Sequence, residues 1–308
     1  MAIGVLILGE SGTGKTYSIK GFDPDEVKII SVTKPILPFR GKYDITTAPT
    51  GDEVIKAMHD TDKKNIVVDD LQYILGIPMM DRISEKGWEK FNEIQSPYNK
   101  VLNEIQKLPD DVIVFLTSHT ETDENGRKKI KTVGKALDKY ITIEGLFMIV
   151  LGTFVCDGKY YFQTQNSGND TLKSPEGLFP TKLIQNDLKY VAEKIRNYYY
   201  MEGAISDSEA EKADEAHAVT EDLTEKKKRR RKPAEEQPHS KYYVTDKGHY
   251  DIAEPGEDIP EGAHEISKEQ YDEQSGFMDI PEGSPELVPL TEPEEETEKP
   301  TRKRRKKS

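Results

Sequence analysis

A three-layer α/β fold with a mostly parallel sheet, followed by a largely disordered charged tail, is predicted by three observations. Short apolar runs at 3–8, 27–32, 65–69 and 112–116 alternate with helix-compatible stretches, the pattern of strands buried between helices. The first run leads directly into a glycine-rich loop and then a helix-like segment. Polarity is also uneven: residues 203–308 hold 28 acidic and 18 basic residues with almost no apolar run, and nearly all aliphatic clusters precede them. The expected division is therefore a folded domain at 1–202 and a polar tail at 203–308.

Composition excludes several classes. The chain has 308 residues, 44 Lys and Arg against 57 Asp and Glu, and a net charge of −13, which disfavours indiscriminate nucleic-acid binding by the whole molecule. The lone Cys156 cannot form an internal disulfide and offers no metal cluster, which points to a reducing compartment. The longest apolar stretch, 145–152, falls far short of the roughly 20 residues of a membrane span. No basic segment precedes the apolar run at 3–8, so it is not read as a secretory signal.

The elements are justified in chain order. A strand at 3–8 ends at Gly9, and a short helix over 15–20 is stopped by Gly21 and Pro24. A strand at 27–32 precedes a helix over 52–59 and a strand at 65–69. From 84 to 108, Trp88, Phe91, Ile94, Tyr98, Val101, Leu102 and Ile105 recur at helical spacing, with Pro97 as a kink. Strands follow at 112–116 and 146–155, and a hairpin partner at 160–162 lies across Asp157-Gly158. A closing helix is expected over 181–200.

In the tail, 204–225 is acidic and weakly helical, and 226–232 is a basic block stopped by Pro233. Aromatic and aliphatic residues gather in a small module at 241–272, read as a hairpin followed by a helix. Residues 292–308 turn from acidic to basic, ending in 302–307, and read as disordered.

The chemistry is concentrated in Gly9-Glu10-Ser11-Gly12-Thr13-Gly14-Lys15-Thr16, the G-x-x-x-x-G-K-[ST] pattern in full. Its glycines let successive backbone amides turn toward phosphate oxygens. Lys15 would reach the β- and γ-phosphates of ATP, and the Thr16 hydroxyl would ligate Mg²⁺. The strand 65–69 ends in Asp69-Asp70. There Asp69 is the candidate for holding the metal, and Asp70 for polarising the attacking water. The strand at 112–116 runs into Thr117-Ser118-His119, candidates for sensing the γ-phosphate, with His119 favoured. Charge building on the γ-phosphate is often met by a cation from a neighbouring subunit. Lys173 is the candidate here, and the loop carrying Arg127, Lys128 and Lys129 is an alternative; solvated surface is the competing reading for both.

Across residues 1–200, the phosphate loop, the Ile-Val-Val-Asp-Asp strand, the Thr-Ser-His strand end and the Lys173-to-Phe179 segment resemble phage-encoded RecA-like ATPases. These compact AAA-type proteins include single-strand annealing recombinases. The resemblance implies ATP hydrolysis with Mg²⁺, homo-oligomers, and action on single-stranded DNA beside a single-strand-binding protein. It also implies the cytoplasm of the host. One departure stands out: the catalytic glutamate such proteins carry after the second strand is replaced by Val32-Thr33-Lys34-Pro35. Two other readings stay open. A small-molecule or nucleotide kinase would share the loop but need a lid bearing arginines, and 82–107 holds none beyond Arg82. An AAA+ loader or scaffold that binds ATP with little hydrolysis would need a sensing arginine in its last helix, where Arg196 alone stands.

Overall fold

The computed structural model describes residues 2–33, 36–85, 89–123, 126–133, 142–219, 241–246, 248–253, 257–267 and 270–271. Trp88 and the basic runs at 226–232 and 302–307 lie outside these. The chain divides into two compact units, Met1–Lys228 and Arg229–Ser308.

In the first unit, nine strands form one sheet in the order β3-β2-β4-β5-β1-β8-β9-β10-β11. The strands are β1 (Ile3–Leu8), β2 (Val27–Ser31), β3 (Asp44–Thr47), β4 (Asn65–Asp69), β5 (Ile113–Ser118), β8 (Ile149–Cys156), β9 (Lys159–Gln163), β10 (Leu183–Gln185) and β11 (Ala218–Val219). From β3 to β8 all neighbours are parallel, while β9, β10 and β11 add antiparallel at one side. Two short strands, β6 (Thr120–Thr122) and β7 (Lys128–Ile130), form a separate hairpin beyond β5.

Continuous apolar runs suit a sheet buried on both faces. Val5 and Ile7 of β1 pack into one core, and Leu6 and Leu8 into the other. Helices α1 (Gly51–His59), α2 (Tyr73–Asp81) and α3 (Glu89–Glu104) supply Val54, Leu75 and Tyr98 to the Leu6 side. Ile19 and helix α4 (Leu188–Tyr198), through Leu188, Val191 and Ile195, close the other side. The three expected layers are therefore present. Thr50 and Glu53 cap α1 reciprocally, and α1 approaches α3 so closely at Gly51 that a Cβ there would stand 2.7 Å from the Pro97 carbonyl.

The short helix expected over 15–20 is present as a 3₁₀ segment at 16–21. Three expectations are corrected. The helix expected over 84–108 begins at Glu89 in the described residues, and the apolar stretch ahead of it forms α2. The helix expected over 181–200 is instead β10 followed by α4. Leu183 and Ile184 pair with Gln163 and Phe162, and the Asp187 side chain then caps α4 by accepting from the Lys189 and Tyr190 amides. The first unit also extends past residue 202. Ser206 and Glu209 cap helix α5 (Asp207–His217) reciprocally, and β11 pairs with β10.

The second unit contains a three-stranded antiparallel sheet, β13-β12-β14, of Lys241–Thr245 (β12), Tyr250–Ala253 (β13) and Ala263–Ile266 (β14). One more strand is present than the expected hairpin. Among the described residues no helix is long and apolar enough to cross a membrane.

Candidate active site

The parallel register brings three strand ends to one edge. Leu8 of β1 lies beside Ser118 of β5, and Val68 of β4 lies beside Leu116 of β5. β5 therefore separates the strand that carries the glycine loop from the strand that carries Asp69 and Asp70.

The loop following β1 is built for close backbone approach. Gly12 and Gly14 have φ of 75° and 99°, a region that favours glycine. A Cβ on Gly9 would stand 1.7 Å from Thr153 Oγ1, and one on Gly14 would stand 2.7 Å from the Tyr160 ring. Thr13 Oγ1 donates to the Glu10 carbonyl at 2.6 Å and shares a 2.5 Å hydrogen bond with Thr153. Glu10 itself points outward to an ion pair with Lys128 at 2.5 Å. Lys15 Nζ is buried and donates to the Gly9 and Glu10 carbonyls, each at 3.1 Å. Burial lowers its pKa, opposed by the charges of Asp70 and Asp69.

Asp69 gathers the other groups. Thr16 Oγ1 donates to its Oδ2 at 2.9 Å, and Thr117 Oγ1 donates to its Oδ1 at 2.8 Å. Burial and then the Asp70 charge raise the Asp69 pKa, with the two hydroxyls working against them. A desolvated carboxylate paired only with hydroxyls, 2.9 Å from the Thr16 oxygen, suits a hard divalent cation. Thr16 and Asp69 therefore fit the role of holding Mg²⁺. Asp70 follows with φ 58°, the left-handed region, and its amide donates to Thr117 Oγ1 at 2.8 Å. His119 Nε2 stands 3.6 Å from Asp70 Oδ1. Burial and the nearby Lys15 charge lower the His119 pKa, opposed by the Asp70 charge, and so favour the neutral ring.

A cleft of about 330 Å³ is lined by Ser11, Gly12, Lys15, Thr16, Asp70 and His119 among others. The structure thus brings the candidates Ser11, Gly12, Gly14, Lys15, Thr16, Asp70 and His119 to one cleft, with Asp69 hydrogen-bonded to Thr16 beside it, whereas Lys173 stands apart. That residue pairs through its backbone with Val150, N–H to O at 3.0 Å and O from N–H at 2.8 Å, and does not line the cleft. Of the alternative cations, Lys128 is paired with Glu10, Lys129 with Glu121, and Arg127 Nε donates to the Asp170 carbonyl. Sequence reasoning passed over Thr153, Tyr160 and Gln72, whose side-chain oxygen accepts from the His119 amide at 3.3 Å. Only the fold brings Thr153 and Tyr160 to the loop and Gln72 to His119. Thr117 was named, but as a sensor; its two hydrogen bonds make it the brace between Asp69 and Asp70.

Loop, acidic strand end and intervening strand thus meet at one edge of a mostly parallel α/β sheet. No family model and no curated protein matches the chain. Among solved structures it is similar to the KaiC-like protein PH0186 from the hyperthermophilic archaeon Pyrococcus horikoshii OT3. That match has 16% identity over 59% of this chain and 84% of the other, with a TM-score of 0.37. It is also similar to a DnaB-like replicative helicase described with its interactions with primase. There the identity is 12%, the TM-score 0.35, and the chain spans about half the length of the helicase, 52% of each chain being covered.

Proposed function

We propose that this protein binds ATP with Mg²⁺ at the Gly9–Thr16 loop and hydrolyses it to ADP and phosphate. The observation that carries the reading is the Lys15, Thr16, Asp69, Asp70 and His119 cluster around a glycine loop whose side-chain space is already filled by Thr153 and Tyr160. Bound Mg²⁺ would offset charge on the β- and γ-phosphates. The backbone amides and Lys15 hold the phosphates. Asp70 and His119 line the same cleft and orient water, and the neutral His119 ring is able to accept its proton.

The finer reading is action in phage DNA recombination or single-strand annealing. In it the protein works as a homo-oligomer on single-stranded DNA, beside a single-strand-binding protein, in the host cytoplasm, with Lys173 as a cation offered to a neighbouring subunit. It is supported by the sequence resemblance and by the basic runs at 226–232 and 302–307, whose attraction to nucleic acid would fall steeply with salt. The test is phosphate release by the intact chain with and without single-stranded DNA, alongside Lys15→Ala. Release that DNA stimulates and Lys15→Ala abolishes is expected. Release indifferent to DNA removes the DNA role, and no release with ATP still bound favours a loader or scaffold.

A further inference from the structure

A second cleft, of about 860 Å³, opens beside the phosphate loop and is bordered by Tyr17, Lys20, Lys159, Tyr160, Asn186 and Asp187. Tyr17 and Tyr160 also line the phosphate cleft, so the two spaces share an aromatic wall. Tyr17 directly follows Thr16, and the Tyr160 ring lies on Gly14. The two ring centroids are 5.0 Å apart with planes tilted by 36°, so the rings pack against each other as one aromatic wall. Beside it, both polar atoms of the Asn186 carboxamide are buried and have no hydrogen-bond partner. Asn186 Oδ1 would stand 3.2 Å from a Cβ on Gly14, at the back of the same loop.

We propose that this cleft receives the base of the bound nucleoside triphosphate, stacked on the Tyr17–Tyr160 surface, with purines bound more tightly than pyrimidines. The proposal rests on the reading of the Gly9–Thr16 loop as a triphosphate site. A nucleotide anchored there presents an uncharged aromatic plate with polar edges at its other end. Toward β4 and β5 the phosphate cleft is walled by Asp70 and His119, polar groups suited to phosphate and water. On the opposite side stand the tyrosines, and beyond them a space large enough for a nucleoside. Stacking is tolerant of base identity, because every base has a π-face, so selectivity follows the ring area covered. The unpartnered Asn186 carboxamide, behind Gly14 and bordering the cleft, adds N–H donors and an acceptor oxygen beside the aromatic wall.

The test compares ATP, UTP, base-free ribose 5-triphosphate and inorganic tripolyphosphate, each with Mg²⁺, by titration calorimetry. The intact chain is used, together with Tyr160→Ala, Tyr160→Phe and Lys15→Ala. Native protein is expected to bind ATP about tenfold or more tightly than the base-free sugar triphosphate, with UTP between them. Tyr160→Ala should reduce ATP to the base-free value, weakening ATP by a much larger factor than tripolyphosphate, and Tyr160→Phe should retain ATP affinity. Equal native affinity for ATP and the base-free compound overturns the proposal without recourse to any variant. So does a Tyr160→Ala protein that weakens ATP and tripolyphosphate alike, since the ring would then only shape Gly14. If no triphosphate binds and Lys15→Ala changes nothing, the phosphate-loop reading itself falls, an outcome separate from loss of base dependence alone.

Discussion

Thr153 occupies the space a side chain at Gly9 would need: a Cβ on Gly9 would stand 1.7 Å from Thr153 Oγ1 and 2.6 Å from Thr13 Oγ1. The start of the phosphate loop is thus shaped by β8, a strand about 140 residues away along the chain. Gly9→Ala is expected to weaken ATP binding by at least about tenfold, because the loop must move off the strand. Adding Thr153→Ala removes the clashing hydroxyl and should restore part of that loss. A double-mutant cycle in binding free energy checks this, and simple additivity would show that the two positions do not compete for the same space.

Asp69 should reveal its burial through pH. Its folded pKa is raised, so its contribution to stability is present at low pH and lost as pH rises through the folded value. Ionised Asp69 therefore costs the ligand-free protein stability at neutral pH. Asp69→Asn is expected to raise the ligand-free melting temperature there, with a gain that shrinks toward about pH 4. The same variant should lose Mg²⁺-dependent turnover. Differential scanning calorimetry across pH and a phosphate-release assay read the two effects separately.

His119 carries the opposite sign. Burial and the Lys15 charge depress its pKa, so the contribution of its neutral form is present above the ordinary imidazole value and lost as pH falls below it. Turnover should be level through neutral pH and decline only in acid, below the ordinary imidazole range. His119→Gln should lower kcat about a hundredfold with little change in KM. Steady-state kinetics check this, and an unaltered kcat would remove the ring from the proton path.

The segment beyond residue 202 should prove necessary for a stable first unit. Asp214 accepts from Tyr190 Oη at 2.7 Å and pairs with the buried Lys194 at 2.8 Å, while the His217 ring stacks on Tyr190 with centroids 4.0 Å apart. Ending the chain at 202 strips the partner from Lys194 and is expected to cost about 3 kcal/mol, whereas ending it at 228 should cost little. Thermal unfolding of the two truncated chains decides, and equal melting temperatures would make α5 and β11 accessory.

The phosphate loop was legible because its chemistry requires contiguous residue types, and Asp69 because a buried strand ends at it. Helix α2 was missed since Gly76 and Pro78 interrupt an almost wholly apolar segment, which leaves little helical periodicity to detect. Strand β3 is four residues long and only partly buried, so no apolar run announces it. Helix α5 was assigned to the tail because Ala210 is its only buried residue and its anchoring is by polar groups. Thr153, Tyr160 and Asn186 lie on elements remote in sequence, and their place at the loop follows from the sheet order alone.

That sheet order also bears on how copies of the chain can associate. Its two outermost strands among the described residues are short, four residues in β3 and two in β11. Such blunt margins offer few free backbone groups for a further strand to latch onto, so they guard against zipper-like aggregation. Copies of the chain joined at these two margins would share few backbone hydrogen bonds.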